Sequence, residues 1–319
     1  MKISLFAFLL IEVSAFGQRS LSFHKATPTP EPIIFGEGII SVGDYESHAD
    51  FSVGGDTLMF VKSNPDVTKW TICYSIHKNG RWSKPEVATF SGQYMDADPF
   101  FTPDGRSLYF ISNRPQKPGG AAKQDMDIWK IERTKSGWGE PVRLGDVINS
   151  DASEYYPTIA ANGTMYFGSR REGGKGNADI YKSVLVNGAY SAPVNVGEGI
   201  NTEGSEFEPY ISPDESYMIF MAARPDDLQY ADLYISYNKD GVWSRAEKLR
   251  EPINSPATEF SPKVTKDGKY FFFASARNVN PGVTSKKENM ADVEKRVRGA
   301  GNGLGDVWMV EVEVEAVVR

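Results

Sequence analysis

Five acidic residues recur along the chain at intervals of about 50 to 58 residues: Glu46, Asp96, Glu154, Glu206 and Glu259. Four are followed three positions later by proline, at Pro99, Pro157, Pro209 and Pro262. Carboxylates brought together from several repeats could bind a cation, or act in pairs as acid and base on a glycosidic bond. The competing reading is structural: each acid accepts hydrogen bonds from backbone or arginine at a junction between repeats. Occurrence in every copy favours structure, because function usually differentiates copies. Two residues after each acid stand His48, Asp98, Tyr156, Glu208 and Ser261, which differ from copy to copy. That varied set is the candidate source of ligand selectivity, with Asp98 and Glu208 as the carboxylate pair a glycan-active enzyme would use.

A second periodic set is basic: Arg114, Arg170 or Arg171, Arg224 and Arg277. Asp127, Asp179, Asp232 and Asp306 recur downstream, and a loop returning the chain to the same end predicts an Arg to Asp pair within each repeat. The first repeat has no such arginine and offers Lys62 and Asn64, so the surface there is expected to be more open. Other chemistry is poorly provided for. With His24, His48 and His77 as the only histidines and Cys73 as the only cysteine, no metal site or cofactor is expected, and Cys73 reads as a buried packing residue. Trp82, Trp138, Tyr190 and Trp243 recur at one position, where packing between repeats competes with stacking on sugar rings.

The elements that position these residues repeat with them. An apolar segment appears five times, as Leu58-Met59-Phe60, Leu108-Tyr109-Phe110, Met165-Tyr166-Phe167, Met218-Ile219-Phe220 and Phe271-Phe272-Phe273. Hairpin sequences precede each copy, among them Gly54-Gly55-Asp56 and Pro103-Asp104-Gly105. A further β-rich segment follows each, such as Asp127-Ile128-Trp129 or Asp179-Ile180-Tyr181. Four strands per repeat, joined by hairpins, make one blade of a β-propeller; the strands of a sandwich would not recur as a four-strand unit. The fold class is therefore all-β, a five-bladed propeller of four-stranded antiparallel blades.

Closure of the ring is also legible. Residues 32–40, Pro-Ile-Ile-Phe-Gly-Glu-Gly-Ile-Ile, match residues 193–201, Pro-Val-Asn-Val-Gly-Glu-Gly-Ile-Asn, at the end of the third repeat. The N-terminal copy has no blade before it and the fifth repeat has no outer strand after it, so residues 31–41 are expected to complete blade five. An insertion at about 278–304 interrupts that blade. Ser285 with Glu288 reads as the cap of a short helix carrying Met290, Val293 and Val297 on one face, either a charged excursion or a contact surface.

Met1-Lys2, an apolar run from Ile3 to Ile11 and the small residues Ala15 and Gly17 fit a secretory signal peptide over residues 1–17, with a linker at 18–30 and a single propeller domain over 31–319. The run is too short to span a bilayer, so no membrane span is expected after cleavage, and the location is periplasmic or extracellular. A formal net charge of -7 argues against nucleic acid as a partner.

The repeat resembles the WD-like propeller repeat of the TolB type, found in bacterial envelope proteins, over residues 31–311. The residues that carry it are Ser212-Pro213-Asp214, Ser112-Asn113-Arg114 and Ser169-Arg170-Arg171, Asp127-Ile128-Trp129, and Gly137-Trp138-Gly139-Glu140-Pro141. TolB itself has six blades and a separate N-terminal domain, so a role in the Tol system does not follow. Propellers of this type serve as binding platforms, complex subunits and sometimes polysaccharide-degrading enzymes. The expected function is a binding or scaffolding propeller that meets a protein or carbohydrate partner at the channel mouth. The reading from another class is a glycan-active hydrolase or lyase using acids at that mouth.

Overall fold

The computed structural model describes residues 19–21, 31–117, 119–225, 227–280, 282, 287–312 and 314–316. Five antiparallel sheets correspond one for one to the repeats. Their first, innermost strands are Tyr45–Phe51, Asp96–Phe101, Glu154–Ile159, Ser205–Ile211 and Glu259–Val264. Each pairs with a second strand, Thr57–Ser63, Ser107–Ser112, Met165–Ser169, Tyr217–Arg224 or Tyr270–Ser275. The third strands are Trp70–Lys78, Asp127–Thr134, Asp179–Ser183, Asp227–Lys239 and Asp306–Glu311. Short outer strands finish the blades, which together form a five-bladed β-propeller. Second strands such as Ser107–Ser112 are buried at every position because neighbouring blades cover both faces. That is why they read as continuous apolar runs rather than alternating ones.

The fourth strand of blade five is Ile33–Ile34, paired antiparallel with Met309 and Trp308. The ring is thus closed by the N-terminal strand. Phe35 N donates to Val307 O at 2.8 Å, and the Phe35 ring packs edge-on against Phe51, Trp82 and Phe272 with centroids 5.8, 5.8 and 5.1 Å away. One side chain therefore staples blade five to blade one. The sequence match is offset by one residue after the turn. Ile40 and Ile200 are the buried equivalents, and Ser41 Oγ accepts from Val307 N as Asn201 Oδ1 accepts from Ile180 N.

Each hairpin between first and second strands needs a left-handed residue, supplied by Gly55, Gly105, Gly163 and Gly268 and, in blade four, by Glu215 at φ 59°. Glu215 is held there by accepting from the Tyr166 hydroxyl of blade three at 2.7 Å. The blade-five insertion does hold a helix, Met290–Arg298, but its cap is Asn289, which exchanges side-chain hydrogen bonds with Asp292. Ser285, expected as the cap, lies outside the described residues, as does the whole of 1–18. Part of the expected linker is structured: Arg19–Leu21 pairs with Val314–Ala316. No helix among the described residues is long and apolar enough to cross a membrane.

Candidate functional site

The five repeated acids are fully buried. They are not brought together from several repeats; each sits against the second strand of its own blade. Glu154 Oε1 accepts from Ser150 Oγ at 2.5 Å, Ser169 Oγ at 3.1 Å and Arg171 Nη2 at 3.1 Å. Glu259 repeats the set with Ser255, Ser275 and Arg277 at 2.6, 2.7 and 3.2 Å. Asp96 meets Ser91 at 2.8 Å and Arg114 at 2.7 Å. In blade four Glu206 accepts from Thr202 Oγ1 at 2.6 Å, with Arg224 Nε 3.7 Å away. Blade one substitutes Lys62, whose ammonium is 2.9 Å from Glu46. Burial pushes the carboxyls of Glu154, Glu206 and Glu259 upward against these hydrogen bonds, and that of Glu46 to about 7.

The arginines complete this arrangement and correct the expected pairing. Their guanidinium groups lie between two rings: Arg114 over Phe110 and Trp129, Arg171 over Phe167 and Tyr181, Arg224 over Phe220 and Tyr234, Arg277 over Phe273 and Trp308. From there Arg114, Arg171 and Arg277 reach the first-strand acid rather than the third-strand aspartate, because the planar fork cannot stack on the third-strand ring and also turn to the residue two positions before it. The aspartates have other partners: Asp127 meets Lys123 and Arg143 at 2.5 and 2.8 Å, Asp179 accepts from the Lys175 and Gly176 amides, and Asp232 meets Lys248 at 2.6 Å. Asp306 differs. Its Oδ2 accepts from Gly301 N at 2.8 Å, but Oδ1 is buried and has no hydrogen-bond partner among the described residues. Burial raises its carboxyl to about 6.

The varied positions behave differently from the acids two residues before them. His48, Asp98, Tyr156, Glu208 and Ser261 all have positive φ, between 50° and 56°. Each interrupts the register between first and second strands. A bulge at one place in all five blades turns these side chains toward the axis, where they meet. His48 Nε2 stands 3.1 Å from Asp98 Oδ1 and 3.2 Å from Glu208 Oε1, tying blade one to blades two and four. The second carboxylate oxygens take backbone amides of further blades: Asp98 Oδ2 accepts from Tyr156 N at 2.7 Å, and Glu208 Oε2 from Ser261 N. Tyr156 in turn donates its hydroxyl to Pro262 O at 2.8 Å.

Below this knot lies Lys263, only 2% exposed, its ammonium over the rings of Phe100 and Tyr156 at 4.6 and 4.7 Å. Burial lowers its amine to about 8, opposed by Asp50, Asp98 and Glu208. Burial likewise pushes the Asp98 carboxyl up to about 6, with His48 pulling it down. For His48, burial alone would lower the imidazole, but the Asp98 and Glu208 carboxylates outweigh it and raise it. Two carboxylates sharing one imidazole make the floor an acceptor surface.

That floor opens into a pocket of about 350 Å³. Its walls are Tyr45, Trp70, Tyr155, Phe207 and Phe260, with Arg170 also lining it. Of the candidate residues, His48, Asp98 and Glu208 line this pocket; Tyr156 lies buried beneath them, and none of the five repeated acids reaches it. Blade one contributes Val61, Ser63, Val67 and Trp70, in keeping with the missing arginine there. Three of the recurrent aromatics pack between blades instead, Trp82 against Phe35, Trp243 against Tyr166 and Tyr190 by its hydroxyl to Tyr109, while Trp138 packs on Phe101 of its own blade. Cys73 is buried and its thiol is pushed up to about 11. Among the described residues no group of three or more His, Cys, Asp or Glu side chains is arranged to hold a metal ion.

Sequence reasoning missed Lys263 and left Arg170 undivided from Arg171. A signal for the second was available: the middle residue of the Ser112-Asn113-Arg114 position is Asn113, Ala223 or Ala276 in other blades and arginine only in blade three. Structure separates the two, with Arg171 inside the blade and Arg170 exposed at the mouth.

No protein-family profile matches this chain. No curated protein matches it either. Among solved structures, the chain is similar to a glycoside hydrolase at 12% identity and TM-score 0.50, over 92% of this chain and 94% of the other. What is shared is the propeller fold. A TolB from Agrobacterium tumefaciens is similar at 15% identity and TM-score 0.47, over 85% and 91% of the two chains. The catalytic domain of a GH62 α-L-arabinofuranosidase from Coprinopsis cinerea is similar at 9% identity and TM-score 0.49, over 89% and 97%. At such identities a propeller in common says nothing about chemistry, which belongs to the site.

Proposed function

We propose that this chain is a binding propeller of the periplasm or cell exterior that takes a glycan unit in the channel-mouth pocket. One observation carries the reading: Asp98 and Glu208 floor an aromatic-walled pocket, yet each has one oxygen on a backbone amide and the other on a shared imidazole. Carboxylates held this way accept hydrogen bonds from sugar hydroxyls on their remaining lone pairs, while the half-buried rings of Trp70, Tyr155 and Phe207 face apolar sugar surfaces. A hydrolase needs one carboxyl free to protonate the leaving oxygen and a second free to attack or activate water. Secretion belongs to the same proposal and rests on the apolar run near Met1.

The hydrolase reading keeps one observation in its favour, the Asp98 carboxyl raised to about 6 by burial, as a general acid requires. A screen of the purified chain against poly- and oligosaccharides decides between them, following Trp70 fluorescence for binding and chromatography for products. Saturable binding without turnover is expected. Turnover of any substrate abolished by Asp98→Asn would replace the binding reading with the hydrolase one, and no response from any glycan would remove both.

A further inference from the structure

We infer that Arg170 makes the mouth pocket selective for a sugar carrying a single carboxylate, a uronic acid unit, rather than a neutral one. The inference rests on the glycan-binding reading of the same pocket and adds its ligand class.

Arg170 is the odd residue of its repeat position, since the corresponding Asn113, Ala223 and Ala276 are uncharged. Its neighbour Arg171 already fills the structural role in blade three, bonding Glu154 and stacking between Phe167 and Tyr181. Blade three therefore carries one guanidinium more than its architecture uses. The extra one is exposed, lines the pocket, and lies over the Phe207 ring of blade four at 5.4 Å. Stacking on that ring fixes the plane of the fork, so less freedom is lost when a ligand is bound. Among the described residues the Arg170 side chain forms no ion pair or hydrogen bond; only its backbone amide is engaged, with Ser153 O. Its donors are available.

The pocket is thus polarised. Asp98, Glu208 and His48 form the floor, where anionic acceptors favour hydroxyl donors and repel a carboxylate; Arg170 offers a planar fork that matches a carboxylate through two parallel hydrogen bonds. A neutral sugar satisfies the floor and leaves the fork idle. A uronic acid satisfies both, with its hydroxyls down and its carboxylate toward Arg170. The formal charge of -7 on the chain disfavours a long polyanion, so the fit is to one acidic unit at a chain end or branch.

The test is isothermal titration of an oligosaccharide ending in glucuronic or galacturonic acid against the same oligosaccharide with that carboxyl reduced, using the whole chain, R170Q and R170K. The inference expects the acidic form to bind roughly ten- to hundredfold tighter. R170Q should bring the ratio of the two forms to about one, and R170K should keep part of it, with the ratio shrinking at high salt. Equal affinity for both forms in the parent chain would overturn the carboxylate selectivity and leave the glycan pocket standing. Failure of both forms, with Trp70 fluorescence unmoved, would overturn the pocket itself. Arg170-dependent binding of free amino acids or peptide carboxyl termini, and of no sugar, would show the carboxylate preference attached to the wrong ligand class.

Discussion

Glu206 and Glu208 stand two residues apart on one strand and do opposite things. Glu206 has a counterpart acid in every blade, is wholly buried, and serves its own blade through Thr202 and Arg224. Glu208 has a different residue at each corresponding position, sits on a bulge with φ 52°, and crosses the axis to His48 and Ser261. In a repeat protein the uniform position holds the blade together and the non-uniform position is free to specialise. The bulge permits both on one strand, by turning one side chain of each pair out of the sheet and into the axis.

The largest effect falls on the uniform side. Glu154→Ala removes the acceptor of Ser150, Ser169 and Arg171 and leaves a largely covered guanidinium without its counter-charge, so a loss of about 3–5 kcal/mol is expected in urea unfolding. A loss below about 1 kcal/mol would place these acids outside the blade's supporting structure. On the varied side, His48→Ala leaves the Asp98 and Glu208 carboxylates facing each other without their shared donor. Glycan affinity should fall at least tenfold while unfolding shifts by about 1–3 kcal/mol, read by titration and by urea melts on the same sample.

Acidity sharpens the same contrast. His48 is raised by Asp98 and Glu208 against the effect of burial, so its stabilising contribution is fully present below about pH 6.5, the unfolded value, and is lost as pH climbs through the higher folded one. The stability advantage of the parent chain over His48→Asn should therefore shrink on going alkaline; an advantage that grows would reverse the assigned order of the effects. The smallest effect concerns closure. Ile34 occupies the outer-strand place held by Arg143, Asn195 and Lys248 in blades two to four, which is why Asp306 has an oxygen without a partner among the described residues. Ile34→Lys should gain roughly 0.5–1 kcal/mol above pH 6, where Asp306 is ionised, and nothing below it. Differential scanning calorimetry at two pH values checks this.

Period, turn residues and the match of 32–40 to 193–201 made the blade count and the closing strand legible, because each blade repeats the same solution to burying two faces. The varied positions were legible for the same reason, as the places where repeats disagree. What they would touch was not. Asp98 meets His48 and Glu208 only because a bulge in each blade rotates these residues inward, and no local sequence feature announces a bulge at such different residues as histidine, tyrosine and serine. The Arg to Asp pairing failed through stacking: each guanidinium is claimed by an aromatic pair first and reaches the nearer acid from there.

On the proposed reading uniform positions make the fold and varied ones make the site, and one pair of isosteric substitutions separates the two. Glu206→Gln and Glu208→Gln are compared for melting temperature and glycan affinity. Glu206→Gln is expected to lower the melting temperature by several degrees and leave affinity intact, whereas Glu208→Gln should lose affinity at least tenfold with a smaller thermal change. Parallel losses of stability and affinity in both variants, or the reverse assignment, would contradict it.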